Sequence, residues 1–146
     1  MKLKVIINPE IEDDIILECR EMTPQIEKLI QSLDTLSIKA IHRDKEIMID
    51  LADVCFFETE DEAVYVHTAK NSYRTRYRLY ELEASLPKSF MRASKSAIVN
   101  LDQIDSFEHN ITSSRSVQFF DSHKIIYVSR MYFQQIKQRM KEESLL

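Results

Sequence analysis

Residues 37–51 read SIKAIHRDKEIMIDL, and their periodicity decides the fold class. Ile38 and Ala40, then Ile47 and Ile49, recur at every second position on either side of the polar HRDKE. A period of two places alternate side chains on one face of an extended chain, so the stretch is two half-buried strands joined by a turn. The rhythm continues downstream. VCFFETE, AVYVHTA, SYRTRYR, FMRAS, SAIVN, QIDSFEH, SVQFFD and KIIYVS are short β-rich runs separated by polar residues. About ten strands over residues 37–129 predict a mainly β fold: a sandwich, a barrel or a multi-sheet module.

Helices punctuate this pattern. In MTPQIEKLIQSLD, Thr23 can cap, Pro24 suits the first helical position, and Ile26, Leu29, Ile30 and Leu33 form one apolar stripe. That stripe faces either the domain's own sheet or a second copy of the chain. RLYELEASLP supplies a turn or two of helix ended by Pro87. The final segment, SRMYFQQIKQRMKEE, carries a stripe of Tyr132, Phe133, Ile136 and Met140. Ahead of the first helix, KLKVIIN and DIILECR are expected as strands joined through NPEIED. The only candidate boundary lies near residues 34–38, giving a strand–turn–strand–helix extension (1–36) and a β domain (37–146).

Composition narrows the chemistry. The chain has 146 residues and no glycine, which excludes the Gly-rich cradles of nucleotide-binding proteins and leaves tight turns to Asn, Asp, Ser and Lys. No apolar run approaches a bilayer span and the first residues do not resemble a secretory signal, so a cytoplasmic location is expected. Cys19 and Cys55 are expected as two buried free thiols. His42, His67, His109 and His123 are scattered without metal-ligand spacing, and the acidic ETEDE at 58–62 lacks the glycine and spacing of a calcium loop. No catalytic constellation, metal site or cofactor site is legible, and a non-enzyme is expected.

Charge is divided along the chain. Residues 1–66 hold 16 acids against 7 Lys/Arg, a net of −9, whereas residues 67–146 hold 8 against 13, a net of +5; together these give −4. The basic half contains two clusters suited to phosphate. SYRTRYR alternates Arg74, Arg76 and Arg78, which on a continuous strand would form one row, with Lys70 just ahead of it. FMRASKSAIVN (90–100) anchors itself with Phe90 and the Ala97–Ile98–Val99 triplet, leaving Arg92, Ser94, Lys95 and Ser96 on a connection held from both sides. Such pre-ordered donors suit phosphate and base contacts; an ordinary polar loop would look the same in this stretch alone.

The wider pattern resembles the LytTR family of bacterial DNA-binding domains. The resemblance rests on FMRASKSAIVNLDQI, on SVQFFDSHKIIYVSRMYFQQI about fifteen residues later, on DLADVCFFETEDEAVYVHT upstream, and on RLYELEASLP between them. It covers roughly residues 37–141 and implies an elongated fold of about ten strands in several small sheets. It further implies DNA readout by loops in successive major grooves, at paired imperfect repeats, with contacts on Arg92, Ser94, Lys95 and Ser96 and on Ser129, Arg130 and Met131. Lys95 and Met131 take the base-reading positions, Arg92 and Ser96 look like phosphate contacts, and Asn100 looks like a structural turn residue. Lys70, Arg74 and Arg76 would add to phosphate neutralisation. The family's first hairpin, here Glu60–Ala63, usually carries a glycine and is acidic in this chain. The chain looks like the stand-alone regulators that lack a receiver domain, which implies a small integral-membrane inhibitor as partner and, with paired repeats, suits a homodimer. The competing reading is a non-catalytic module that sequesters a regulatory or membrane partner.

Overall fold

The computed structural model describes residues 2–34, 37–109 and 115–143, and among these the ten strands expected from the sequence are all present. In chain order they follow helix α1 (Pro24–Asp34): β1 (Ser37–His42), β2 (Lys45–Asp50), β3 (Val54–Glu60), β4 (Ala63–Thr68) and β5 (Ser72–Thr75). Helix α2 (Leu79–Ser85) separates these from β6 (Phe90–Ser94), β7 (Ala97–Asn100), β8 (Ile104–His109), β9 (Arg115–Phe119) and β10 (Ile125–Tyr127), and α3 (Arg130–Glu143) closes the fold. The expected 34–38 boundary, the HNITSS turn and the Leu33 side chain fall wholly or partly outside the described residues.

Seven strands form one sheet in the order β2-β1-β5-β4-β3-β7-β6, and three form a second in the order β10-β9-β8, every pair antiparallel. Both faces of the large sheet are covered. On one face Phe57, Val66, Ile98 and Ile38 meet Leu79 and Leu82 of α2. On the other, Phe56, Val99 and Cys55 meet Val117, Phe119 and Ile126 of the small sheet and Phe133 and Ile136 of α3. Strand β7 therefore buries all four of its residues, which is why AIV shows no alternation. Each large apolar side chain so enclosed contributes about 1.5–3 kcal/mol relative to exposure.

The turns solve the missing-glycine problem with strained backbone. Arg43 and Asp44 (φ 49° and 64°) close β1 to β2, and Asp61 and Glu62 (φ 51° and 65°) close β3 to β4. Both are two-residue loops with positive φ at each position, the type I′ geometry that matches the twist of a hairpin.

Three expectations need correction. KLKVIIN and DIILECR form no strand; residues 2–22 carry no ladder, because both runs lie outside the two sheets and stay exposed. Cys19 is exposed on this segment, and only Cys55 is buried. Strand β5 ends at Thr75, whose buried side chain donates to Lys39 O at 3.3 Å. Arg76 then lies in a bend and Arg78 precedes α2, with its backbone N donating to Glu81 Oε1 at 2.9 Å. The three arginines therefore share no row. Helix α1 is capped as expected, Thr23 Oγ1 accepting from Ile26 N at 3.3 Å. Its Ile26, Leu29 and Ile30 are half-buried and belong to neither core.

Candidate nucleic-acid interface

Residues 90–100 fold into a hairpin whose two-residue turn is Lys95–Ser96. The register slips between Arg92↔Ile98 and Ser94↔Ala97, so Ala93 is an extra residue on β6, a bulge that re-aims the turn. Ala93 is fully buried and pins the bulge to the core. The turn is held from three directions. Ser96 O accepts from Thr59 N of β3 at 2.8 Å, Ser94 Oγ accepts from Ser96 N at 3.2 Å, and Arg92 Nη1 donates to Lys95 O at 3.1 Å. Arg92 Nε also pairs with Glu83 of α2 at 3.1 Å, its side chain only 18% exposed. Arg92 is thus a brace between α2 and the turn, a role its sequence position did not reveal. Lys95 and Ser96 remain exposed at the tip.

The second predicted cluster lies beside the first. Ser129 N donates to Ala93 O at 2.9 Å, which ties the β10–α3 junction to the bulge of β6. Ser129 precedes α3 and caps it, its Oγ accepting from Tyr132 N at 3.5 Å and its carbonyl from Phe133 N at 2.8 Å. Arg130 and Met131 are exposed on the first turn of that helix, while Phe133 and Ile136 hold it in the core. One backbone hydrogen bond thus brings Arg92–Ser96 and Ser129–Met131, distant in sequence, into a single surface. The positive pole of α3 adds to the cationic character of this surface.

Other predicted residues lie elsewhere. Thr59 N bonds the Ser96 carbonyl, Thr59 pairs with Val64, and Val64 pairs with Thr75. Arg76 therefore lies at the same end of the sheet as Lys95, with β4 and β3 intervening. The acidic β3–β4 turn is also at this end, and burial, then Glu60, pushes the Glu58 carboxyl above its ordinary range. Arg74 is exposed mid-sheet, opposite Tyr65 and Ile41. Lys70, in the β4–β5 turn, lies at the opposite end from Lys95.

That opposite end holds an arrangement sequence reading missed. Lys124 Nζ donates to Asn71 O at 2.6 Å and to His67 Nδ1 at 3.2 Å, and Ser122 Oγ donates to Ala69 O at 2.6 Å. The β9–β10 turn is thereby docked on the β4–β5 turn. The His67 ring stacks on Phe56 at 4.2 Å; burial and then the Lys124 charge lower its pKa to about 4. Burial likewise pushes the Lys124 ammonium below its ordinary range and the Cys55 thiol above its own. No signal for this pair exists locally, since 57 residues separate the partners. Among the described residues no cluster of His, Cys, Asp and Glu suits a metal, and no helix is long and apolar enough to cross a membrane.

Comparison with known proteins identifies a family and a fold. The model of the LytTr DNA-binding domain family matches residues 44–141. An uncharacterised HTH-type transcriptional regulator of Staphylococcus aureus (strain NCTC 8325 / PS 47) is 32% identical over 145 residues, covering 96% of this chain and 98% of its own. Its counterpart in strain MRSA252 matches with the same identity and coverage: 32%, 96% and 98%. Among solved structures, the LytTr DNA-binding domain of a Bacillus cereus protein superposes with a TM-score of 0.65 at 25% identity, covering 71% of this chain and 95% of that one.

Proposed function

The chain belongs to the LytTr DNA-binding domain family, and from that premise we propose that it is a sequence-specific transcription regulator reading double-stranded DNA through loops. The observation that carries this reading is the Ser129–Ala93 hydrogen bond, which fuses two loop clusters into one exposed cationic surface. The architecture favours loops over a recognition helix. Among the described residues no two α-helices are consecutive in the chain, so no helix–turn–helix is available, despite the relatives' label.

Each residue has a distinct part in the proposal. Lys95, at the tip of a turn held by Arg92, Ser94 and Thr59, enters a major groove and donates to a base edge. Such a braced turn loses little conformational entropy on binding. Met131 offers apolar contact to a thymine methyl, and Arg130, Ser96 and Ser129 meet phosphates. Arg92 holds the turn and has Nη2 left for phosphate, since only Nε and Nη1 are bonded among the described residues. Arg76 and Arg74 extend the cationic surface across the sheet; Lys70 contributes only if DNA reaches the far end. Successive grooves would be engaged at paired imperfect repeats by the 37–146 domain, with residues 1–36 as a separate extension. Control by a small integral-membrane inhibitor belongs to the same proposal, and loss of operator binding on co-expression of such a protein checks it.

The decisive experiment is a binding titration of Lys95→Ala against DNA from upstream of the protein's own gene and against random DNA. The expected result is loss of sequence preference by about 1–3 kcal/mol, with non-specific binding largely retained. Unchanged affinities for both DNAs would overturn the assignment.

A further inference from the structure

Residues 2–22 present two apolar runs that nothing among the described residues covers. Leu3, Val5, Ile6, Ile7, Ile15, Ile16 and Leu17 are 44–90% exposed. Together they leave roughly 900 Å² open per copy, comparable with the ~800 Å² each partner buries in a standard-size interface. Neither sheet receives them, and α1, which follows, lies outside both cores.

The two runs complement each other in antiparallel register. Setting Ile6 opposite Ile16 places Lys4 opposite Glu18, Val5 opposite Leu17, Ile7 opposite Ile15 and Leu3 opposite Cys19. Residues facing each other across a ladder share a face of the ribbon. One face would then be wholly apolar, formed by Leu3, Val5, Ile7, Ile15, Leu17 and Cys19, and the other would carry the Lys4–Glu18 ion pair beside Ile6 and Ile16. Only Lys2 against Arg20, at the frayed end, is unfavourable. Shifting the register by one residue would set Lys4 against an apolar side chain and lose the ion pair.

Within one chain this ribbon is not formed. Among the described residues no backbone hydrogen bond joins the runs, and the connection begins with a local turn in which Asn8 Oδ1 accepts from Glu10 N at 3.1 Å. A second copy supplies the pairing without a tight reversal of the chain, because each connection can stay extended while each run pairs with the other chain.

We propose that residues 2–20 form a reciprocal exchange interface between two copies, Lys2–Asn8 of each pairing antiparallel with Asp14–Arg20 of the other. The interface is isologous: Lys4 of one protomer meets Glu18 of its partner, twice per dimer. The inference stands apart from the DNA reading, and its test contains no DNA.

The test measures the monomer–dimer equilibrium of the full chain by sedimentation velocity over a concentration series. It compares the natural protein, Lys4→Glu, Glu18→Lys, and an equimolar mixture of the two variants. Both positions lie outside the core, so neither substitution threatens folding. The natural protein is expected to dimerise, and each variant to dimerise about tenfold more weakly, because two cross-strand ion pairs become repulsive. The mixture is expected to recover the natural affinity as a heterodimer. One chain then carries carboxylates at both positions and the other ammonium groups at both, so each cross-strand contact is again between opposite charges. A monomer at every concentration, variants that dimerise as the natural protein does, or a mixture no tighter than its components would each overturn the proposal. The last result would point to a hairpin within one chain.

Discussion

Asn100 shows how one side chain can organise the base of the β6–β7 hairpin. It is buried, its Nδ2 donates to Val54 O at 2.8 Å and to Leu51 O at 3.4 Å, and its Oδ1 accepts from Asp102 N at 3.1 Å. It thereby joins the end of β7 to the start of β3. Asn100→Ala strands those carbonyls in the core and should cost about 2–4 kcal/mol, measured as a lower denaturation midpoint. Its structural role was legible from FMRASKSAIVN through the family pattern, although its partners, far away in the chain, were not. His67 makes a different prediction. Its pKa falls from 6.5 to about 4 on folding, so the folded state favours the neutral ring. The unfolded chain binds the extra proton first, and stability therefore declines as pH falls from 6.5 towards 4, by about 2–3 kcal/mol in all. Burial, the larger cause of the shift, survives in Lys124→Met, which removes only the neighbouring charge, so acid unfolding monitored by fluorescence or circular dichroism should be slightly less steep over that window. An unchanged profile would remove the Lys124 charge from the acid response and leave burial as the sole cause of the His67 shift.

At the scale of elements, strand existence was legible and strand ends were not. Ile38/Ala40 and Ile47/Ile49 alternate because one face of each strand is buried, and that signal survives in any sequence. SYRTRYR misled because alternation of Arg with Tyr and Thr continues past Thr75, where the chain has already turned towards α2. The bulge at Cys55 was equally invisible: β3 advances from Val54 to Phe56 while β4 advances from Thr68 to His67, so Cys55 and Phe56 face the same core. Bulges answer to the neighbouring strand, and a single run of residues does not record its neighbour. The turns yield a prediction. A non-glycine residue at positive φ costs about 1–2 kcal/mol. Asp44 sits at φ 64° and Glu62 at φ 65°, and neither side chain is buried. Glu62, unlike Asp, has no short side chain to ease the left-handed region, so Glu62→Gly should stabilise the fold by about 1 kcal/mol, read as a rise in Tm, because the relief of strain exceeds glycine's entropy cost in the unfolded chain. Destabilisation at this position would mean that Glu62 has a partner outweighing its backbone strain.

Across the whole molecule, the split between an acidic first half and a basic second half becomes a spatial question. The fold interleaves the halves, for β3 and β4 of the acidic part lie between β7 and β5 of the basic part. Cations consequently do not pool on one side. Lys95 and Arg130 share one end of the large sheet with the acidic Glu60–Asp61–Glu62 turn, while Lys70 and Lys124 are at the other. DNA bound at the Lys95 end would displace counterions there and nowhere else, and the salt dependence of binding counts the phosphates involved. Arg130→Ala should therefore lower the slope of log K against log salt by about 0.9, while Lys70→Ala should leave it unchanged. Neutralising the turn with Glu60→Gln and Glu62→Gln should do the opposite of losing a cation. Affinity for every sequence should rise about twofold or more at low salt, and the gain should vanish once screening shortens the Debye length to a few ångströms. Fluorescence anisotropy titrations over a salt series measure all of these changes. A slope that falls with Lys70→Ala and not with Arg130→Ala would move the interface to the other end of the sheet.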